Sequence, residues 1–211
     1  MEKYKILLAT KNQAKIDMIK NWCKGLSLEI ISARDLFLDL KIEEYGKTFK
    51  ENAEIKALKW SHYTDYIVLA NDCGVKIPAL GNNWQAVWTK RLVGGDKATD
   101  LEKIQKFLEI MKDLKGKQRL IRWVDAFALV HKGKILGSIE CENLPGYIVE
   151  SYNPRIPIIP GAPLASLEYK PQFKKMYVEL SREELNQHDQ GVIKKFKKFI
   201  LDTLSRYKAN N

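Results

Sequence analysis

Long apolar runs are missing from this chain of 211 residues. None approaches the ~18 residues that a membrane-spanning helix needs, so a membrane is not an expected partner. The N-terminus enters directly on a strand-like run and lacks the apolar core of a signal peptide. Cysteine is scarce. Cys23, Cys73 and Cys141 are odd in number and widely spaced, which argues against a disulfide framework and points to a reducing cytoplasm. His62, His131 and His188 keep no metal-ligand spacing with those cysteines. No basic low-complexity arm and no zinc-knuckle spacing occur, so nucleic acid is not the expected partner. There is no internal repeat, and no linker is long enough to separate independent domains. A single α/β domain over 1–211, or two closely joined lobes, fits the length.

Apolar material and positive charge are both plentiful. Hydrophobic residues make up 45%, enough for a sizeable core. Lys and Arg number 36 against 26 Asp and Glu, a formal charge of +10, and this balance favours anionic partners such as nucleotides.

The apolar run from Tyr4 to Thr10 reads as a buried strand. Asn12 can cap a helix running to about Lys24, with Gly25 as its stop. Leu28–Ala33 reads as a second strand and 34–47 as a charged connection. Thr48-Phe49-Lys50-Glu51 has the capping-box pattern, so a helix should start at Thr48, with Ala53, Ala57 and Trp60 on its inner stripe. Tyr66–Ala70 reads as a strand ending at Asn71-Asp72. Residues 74–96 read as loops and short strands, in which Trp84 and Trp88 are candidates for a ligand or an interface. Ala98–Leu114 predicts an amphipathic helix with Leu101, Ile104, Leu108 and Met111 inward. The runs 118–131 and 134–142 predict a hairpin turning through Lys132-Gly133. Five prolines make 143–163 an irregular loop. The last helix is expected from about Gln190 to Tyr207.

Three polar motifs stand at the boundaries of these elements. The first is Ala9-Thr10-Lys11-Asn12-Gln13-Ala14-Lys15, where a strand hands over to a helix start that offers free N–H groups. Thr10, Asn12 and Lys15 are either a phosphate cradle or an N-cap with a surface lysine; the glycine signature of a Walker loop is missing. The second is Glu44-Tyr45-Gly46-Lys47-Thr48-Phe49-Lys50-Glu51-Asn52-Ala53, and the third Ala70-Asn71-Asp72-Cys73-Gly74. Glu44 and Asp72 together could hold Mg²⁺, with Asp72 the better general base. Alone, each reads as a loop or turn residue. Asn52 and Lys56 are four apart and share a helix face, solvated or flanking phosphates. Arg91 is a surface cation or a phosphate clamp. Lys194, Lys195, Lys197 and Lys198 form a solvated helix face or a dock for an acidic partner.

With these residues in view, the chain resembles the inosine triphosphate pyrophosphatase family. The pattern A-T-x-N-x-x-K is met by Ala9, Thr10, Asn12 and Lys15. E-x-G-x-T-F-x-x-N-A-x-x-K-A is met by Glu44, Gly46, Thr48, Phe49, Asn52, Ala53, Lys56 and Ala57. A-D-D-S-G appears as Ala70-Asn71-Asp72-Cys73-Gly74, and Arg91 matches the arginine of S-A-R. The resemblance implies an α/β fold in which an elongated, bent mixed sheet with helices forms two lobes flanking a nucleotide cleft. It implies a homodimer that hydrolyses ITP, dITP and XTP to the monophosphate and pyrophosphate with Mg²⁺. By position, Asp72 takes the place of the catalytic base, and Glu44 and Asp72 those of the metal ligands.

The second half departs from the family. The base-contacting F-G-[YW]-D-P reads Glu150-Ser151-Tyr152-Asn153-Pro154. The lysine before N-x-x-S-H-R aligns with Leu185, and S-H-R reads Asp189-Gln190-Gly191. Base recognition would therefore fall to Tyr152, Asn153, His188 and Gln190. Asn71 removes one acid from the expected pair. The leading reading is a pyrophosphatase with altered base-reading residues. The alternative is a weakened nucleotide-sensing subunit that signals to an effector protein.

Overall fold

The computed structural model describes residues 3–33, 35, 36, 40 and 42–210. In chain order the elements are β1 (Tyr4–Leu8), α1 (Gln13–Trp22), β2 (Leu28–Ser32), α2 (Phe49–Ser61), β3 (Ile67–Lys76), α3 (Thr89–Leu92) and α4 (Asp100–Ile110). Then follow β4 (Leu120–His131), β5 (Lys134–Glu142), β6 (Gly146–Ile148), β7 (Glu168–Lys170), β8 (Lys175–Met176) and α5 (Arg182–Ala209). Among the described residues the sheet has eight strands in the order β2-β1-β3-β4-β6-β7-β8, with β5 pairing β4. β1 runs parallel to β2 and β3, while β4, β6, β7 and β8 are antiparallel. The architecture is mixed α/β. Among the described residues no helix is long and apolar enough to cross a membrane.

The chain falls into two compact units. The first takes in Met1–Cys73, Asp125–Cys141 and Gly191–Asn211. Its sheet has two apolar faces because side chains alternate along a strand. Ile6 and Leu8 of β1, Ile67 and Leu69 of β3, and Phe127 and Leu129 of β4 pack with Trp22 of α1 and Phe196 of α5. Trp22, Phe127 and Phe196 meet edge-on or tilted, with centroids 4.8–6.0 Å apart. Leu7, Val68 and Ala70, also buried, belong to the other face. Local signals set the helix starts. Asn12 Oδ1 accepts from the Lys15 N–H at 3.3 Å, and Thr48 and Glu51 close a capping box. The β4–β5 hairpin turns on Lys132 at φ 46° and Gly133 at φ 73°, left-handed values that a two-residue hairpin turn demands.

The second unit takes in Gly74–Val124 and Glu142–Gln190. Its core gathers Val75, Trp84, Ile104, Phe107, Met111 and Leu167 among others. Arg119, 3% exposed, donates to the carbonyls of Met111 and Leu114 just after α4 and of Ile148 and Val149 at the end of β6, so carbonyl dipoles from two elements offset a buried cation.

Several expectations need correction. β3 does not end at Asn71-Asp72 but runs to Lys76, so Asp72 lies inside a strand, because both residues find buried partners. Leu101 is 44% exposed, and Phe107 fills the inner stripe of α4 in its place. Trp84 is core, its indole N–H donating to Val75 O. The final helix starts at Arg182 rather than at about Gln190, so His188 sits on α5 rather than before it. Of the connection 34–47, Arg34, Phe37, Leu38, Asp39 and Lys41 lie outside the described residues.

Candidate functional site

The segment Asn71-Asp72-Cys73 of β3 organises polar clusters within the first unit. Alternation sends Asp72 to one face of the sheet and Asn71 and Cys73 to the other. On the Asp72 side stand three residues of the second motif. The Asn52 amide donates to Asp72 Oδ2 at 3.1 Å, and its carbonyl accepts from the Gly46 N–H at 2.8 Å. Lys56 Nζ lies 2.7 Å from Glu44 Oε1 and 3.8 Å from Asp72 Oδ1, and it donates to Asn71 O at 3.1 Å. One ammonium thus draws together the two carboxylates that the sequence singled out. Burial pushes the Asp72 carboxyl above the ordinary aspartate value, Lys56 pulls against that, and Glu44 adds to it.

The other side is built around α1. Thr10 Oγ1 accepts from the Asn12 N–H at 3.2 Å, and Asn12 caps the helix, so the start of α1 is fixed by the first motif. Lys15 is half-buried in the first turn of α1. Burial alone would pull the Lys15 ammonium down, but Cys73, Asp72 and Asp125 together hold it above the ordinary lysine value. Burial likewise pushes the Cys73 thiol up. Asp125 of β4 was missed by sequence reasoning. The signal for it is a lone acid in the apolar run Val124-Asp125-Ala126-Phe127, which a strand buried on both faces does not otherwise carry.

Thr10, Asn12, Lys15, Glu44, Asn52, Lys56, Asp72 and Cys73 therefore all belong to the first unit. Arg91, Tyr152, Asn153, His188 and Gln190 belong to the second. There the structure gives several of the polar ends internal partners. Tyr152 OH donates to Ile156 O at 2.7 Å, and Asn153 Oδ1 accepts from the Arg155 N–H at 3.0 Å. His188 is 3% exposed with Nδ1 2.6 Å from Asp189 Oδ1. Arg91 and Gln190 are exposed. The second unit also holds a buried ion pair that the sequence did not reveal. Lys170 Nζ meets Glu168 Oε1 at 2.6 Å, with side chains 0% and 1% exposed.

Glu44 and Asp72 are the residues with the chemistry to hold a hard cation. Among the described residues, no group of three or more His, Cys, Asp and Glu is placed to hold a metal ion. Two carboxylates already converging on a cation, the Lys56 ammonium, suit Mg²⁺, which takes one or two carboxylates and keeps several waters.

Gly46 is required by close approach. A Cβ there would stand 2.6 Å from Asn52 Oδ1, 2.8 Å from Glu51 Cβ and 2.9 Å from Asn52 N. Gly46→Ala should displace Asn52, the residue that holds Asp72, and destabilise the protein by about 1–3 kcal/mol, the usual cost of overpacking. A urea midpoint equal to the parent's would contradict this placement of Gly46.

Comparison with known proteins shows the family to which the chain belongs. The Ham1 family model matches residues 6–157, a span that contains both clusters and stops short of the altered segment around His188. A dITP/XTP pyrophosphatase of Thermoanaerobacter pseudethanolicus is 32% identical over 205 residues, covering 95% of this chain and 98% of that protein. Another of that description, from Thermus thermophilus, is 34% identical over 184 residues, or 85% and 83% of the two chains. The solved HAM1 protein of Coxiella burnetii superposes with a TM-score of 0.76 at 27% identity, over 94% of this chain and 99% of that one. The Staphylococcus aureus Ham1 protein gives 0.72 at 23% identity over 94% and 98%, which bears on the fold alone. The matched span and the near full-length relatives together mean that this chain belongs to the Ham1 family, the family of inosine triphosphate pyrophosphatases.

Proposed function

We propose that this protein hydrolyses deaminated purine nucleoside triphosphates, dITP and XTP among them, to the monophosphate and pyrophosphate, with Mg²⁺ as cofactor and as a cytoplasmic homodimer. The observation that carries the reading is the fixed carboxylate. Asn52 holds Asp72 Oδ2, which leaves Oδ1 to face the Lys56–Glu44 pair. The relatives described as dITP/XTP pyrophosphatases supply the substrate class.

The residues divide the work. The N-terminus of α1, with Thr10, Asn12 and Lys15, binds phosphate oxygens through backbone N–H groups and one ammonium. Asp72 Oδ1 takes a proton from water, whose oxygen bonds to the α-phosphorus as the bond to the β-phosphate oxygen breaks. Pyrophosphate leaves with the electron pair of that bond. Asn52 keeps the base oriented, and Lys56 and Lys15 offset charge on the phosphates. Mg²⁺ held by Glu44 and Asp72 would neutralise phosphate charge and make the water more acidic.

The test is turnover over a panel of ITP, dITP, XTP, ATP and GTP with Mg²⁺ and then with excess chelator. The deaminated nucleotides should be cleaved in preference, and chelator should abolish the activity. Equal rates with chelator would remove the metal from the mechanism. Tight binding without pyrophosphate release would turn the reading to a nucleotide sensor.

A further inference from the structure

Lys56 stands where a metal ion held by Glu44 and Asp72 would need to be. Its Nζ is 2.7 Å from Glu44 Oε1 and 3.8 Å from Asp72 Oδ1, the two acids with the chemistry for a hard cation. The side chains of Lys56, Glu44 and Asp72 are 14%, 29% and 10% exposed, so salt screens their charges only weakly. A divalent cation on either acid would meet the ammonium as a like charge. With no cation at all, two partly buried carboxylates would be left facing each other. The third contact of the ammonium is of another kind. It donates to Asn71 O at 3.1 Å, a neutral carbonyl that a metal on the acids leaves untouched. That carbonyl is fixed in place, because Asn71 Nδ2 donates to Asp125 Oδ1 and to Ala126 O on β4, both at 3.2 Å. Asp72 is fixed as well, through the 3.1 Å bond from Asn52. The group able to move is the ammonium, on its flexible four-carbon stem.

We infer that Lys56 is a stand-in cation: it holds Glu44 and Asp72 together in the nucleotide-free protein and gives them up to a divalent cation when phosphate draws its ammonium away. Metal and nucleotide then bind cooperatively, since each drives the same exchange. Without nucleotide the protein holds the divalent cation weakly, so the set of catalytic charges is assembled only around a bound triphosphate. The inference rests on the reading of Glu44 and Asp72 as the metal-holding pair of a pyrophosphatase.

The experiment compares the parent with Lys56→Gln, Lys56→Arg and Lys59→Gln. Lys59 is exposed on the same helix, so its variant makes the same change in net charge away from the acids. Mn²⁺, a hard-cation probe, is titrated without nucleotide and followed by the loss of its free EPR signal. The affinity for dITP is measured by calorimetry in excess chelator. Lys56→Gln should tighten Mn²⁺ binding by about tenfold or more and weaken dITP binding by about tenfold or more, because it removes a like charge from one ligand and a charge-assisted contact from the other. Lys56→Arg keeps the charge and Lys59→Gln leaves the site alone, so both should bind Mn²⁺ within about threefold of the parent. A merely structural role for Lys56 would weaken both ligands together. Mn²⁺ binding in Lys56→Gln no tighter than in the parent, a gain matched by Lys59→Gln, or an unchanged dITP affinity would overturn the inference. If Lys56→Gln does not fold, the side-chain nitrogen NMR signal of Lys56 in the parent decides, assigned by its loss in Lys56→Arg. It should move at saturating Mg²⁺, and an unmoved signal would overturn the inference. Metal binding is read without turnover, so a parent that behaves as expected here yet releases no pyrophosphate fails the hydrolase reading alone.

Discussion

Asp72→Asn should leave the fold intact and lower kcat by a factor of about 10²–10⁴, the contribution of a positioned general base. The fold survives because an amide oxygen can still accept from Asn52 Nδ2, the 3.1 Å bond that ties α2 to β3. Turnover is lost because an amide neither takes a proton from water nor ligates Mg²⁺ as well as a carboxylate. The change also removes one of the two acids facing Lys56, so the ammonium keeps Glu44 at 2.7 Å and remains in place. The check is kcat for dITP beside a melting curve. A variant that melts like the parent and turns over at the parent rate would strip Asp72 of its role.

Lys170→Met should cost about 3–5 kcal/mol of stability, the price of removing one partner from a buried ion pair. Lys170 donates to Glu168 Oε1 at 2.6 Å and to Leu144 O at 3.0 Å, and its ammonium lies 5.8 Å from the centre of the Tyr177 ring. Glu168 also accepts from the Trp123 indole N–H at 3.1 Å and fills the space where a Cβ on Gly146 would stand. Burial already pushes the Glu168 carboxyl above the ordinary glutamate value, and Lys170 is the strongest influence pulling it back. Without Lys170 the folded carboxyl rises further, so the folded state binds a proton that the unfolded chain releases near its ordinary value. Stability of the variant is therefore greatest at acid pH and falls as pH rises from the ordinary carboxyl range toward the raised folded value. Denaturant midpoints at acid and neutral pH check both claims. A variant as stable as the parent at neutral pH would show that the pair is dispensable.

The local signals in this sequence were legible, and long-range ones were not. Asn12, Thr48 with Glu51, and Lys132-Gly133 each fix backbone geometry within four residues, so helix starts and the hairpin could be read directly. The start of α5 carries a local signal too, though a masked one. Ser181 and Glu184 form a capping box, with bonds of 2.8 and 3.2 Å, but Leu185-Asn186-Gln187-His188-Asp189 lacks an apolar stripe and Gly191 lies inside the helix. The extension of β3 through Asn71 and Asp72 depends on partners 54 and 20 residues away in the chain. Nothing nearby announces them. Leu101 looked inward on an idealised wheel, yet the packing of α4 gives Phe107 that place. Of the site, Glu44, Lys56 and Asp72 were marked by their motifs. Asp125 was hidden because a single acid in a strand reads as an ordinary outward residue until the burial of both faces is known.

The central claim is that this chain cleaves between the α- and β-phosphates of a deaminated purine nucleotide. Phosphorus NMR of dITP incubated with the purified protein and Mg²⁺ tests it most directly. The account predicts one dIMP and one pyrophosphate for each dITP consumed, with no orthophosphate. Accumulation of dIDP and orthophosphate, or unchanged dITP, would contradict it.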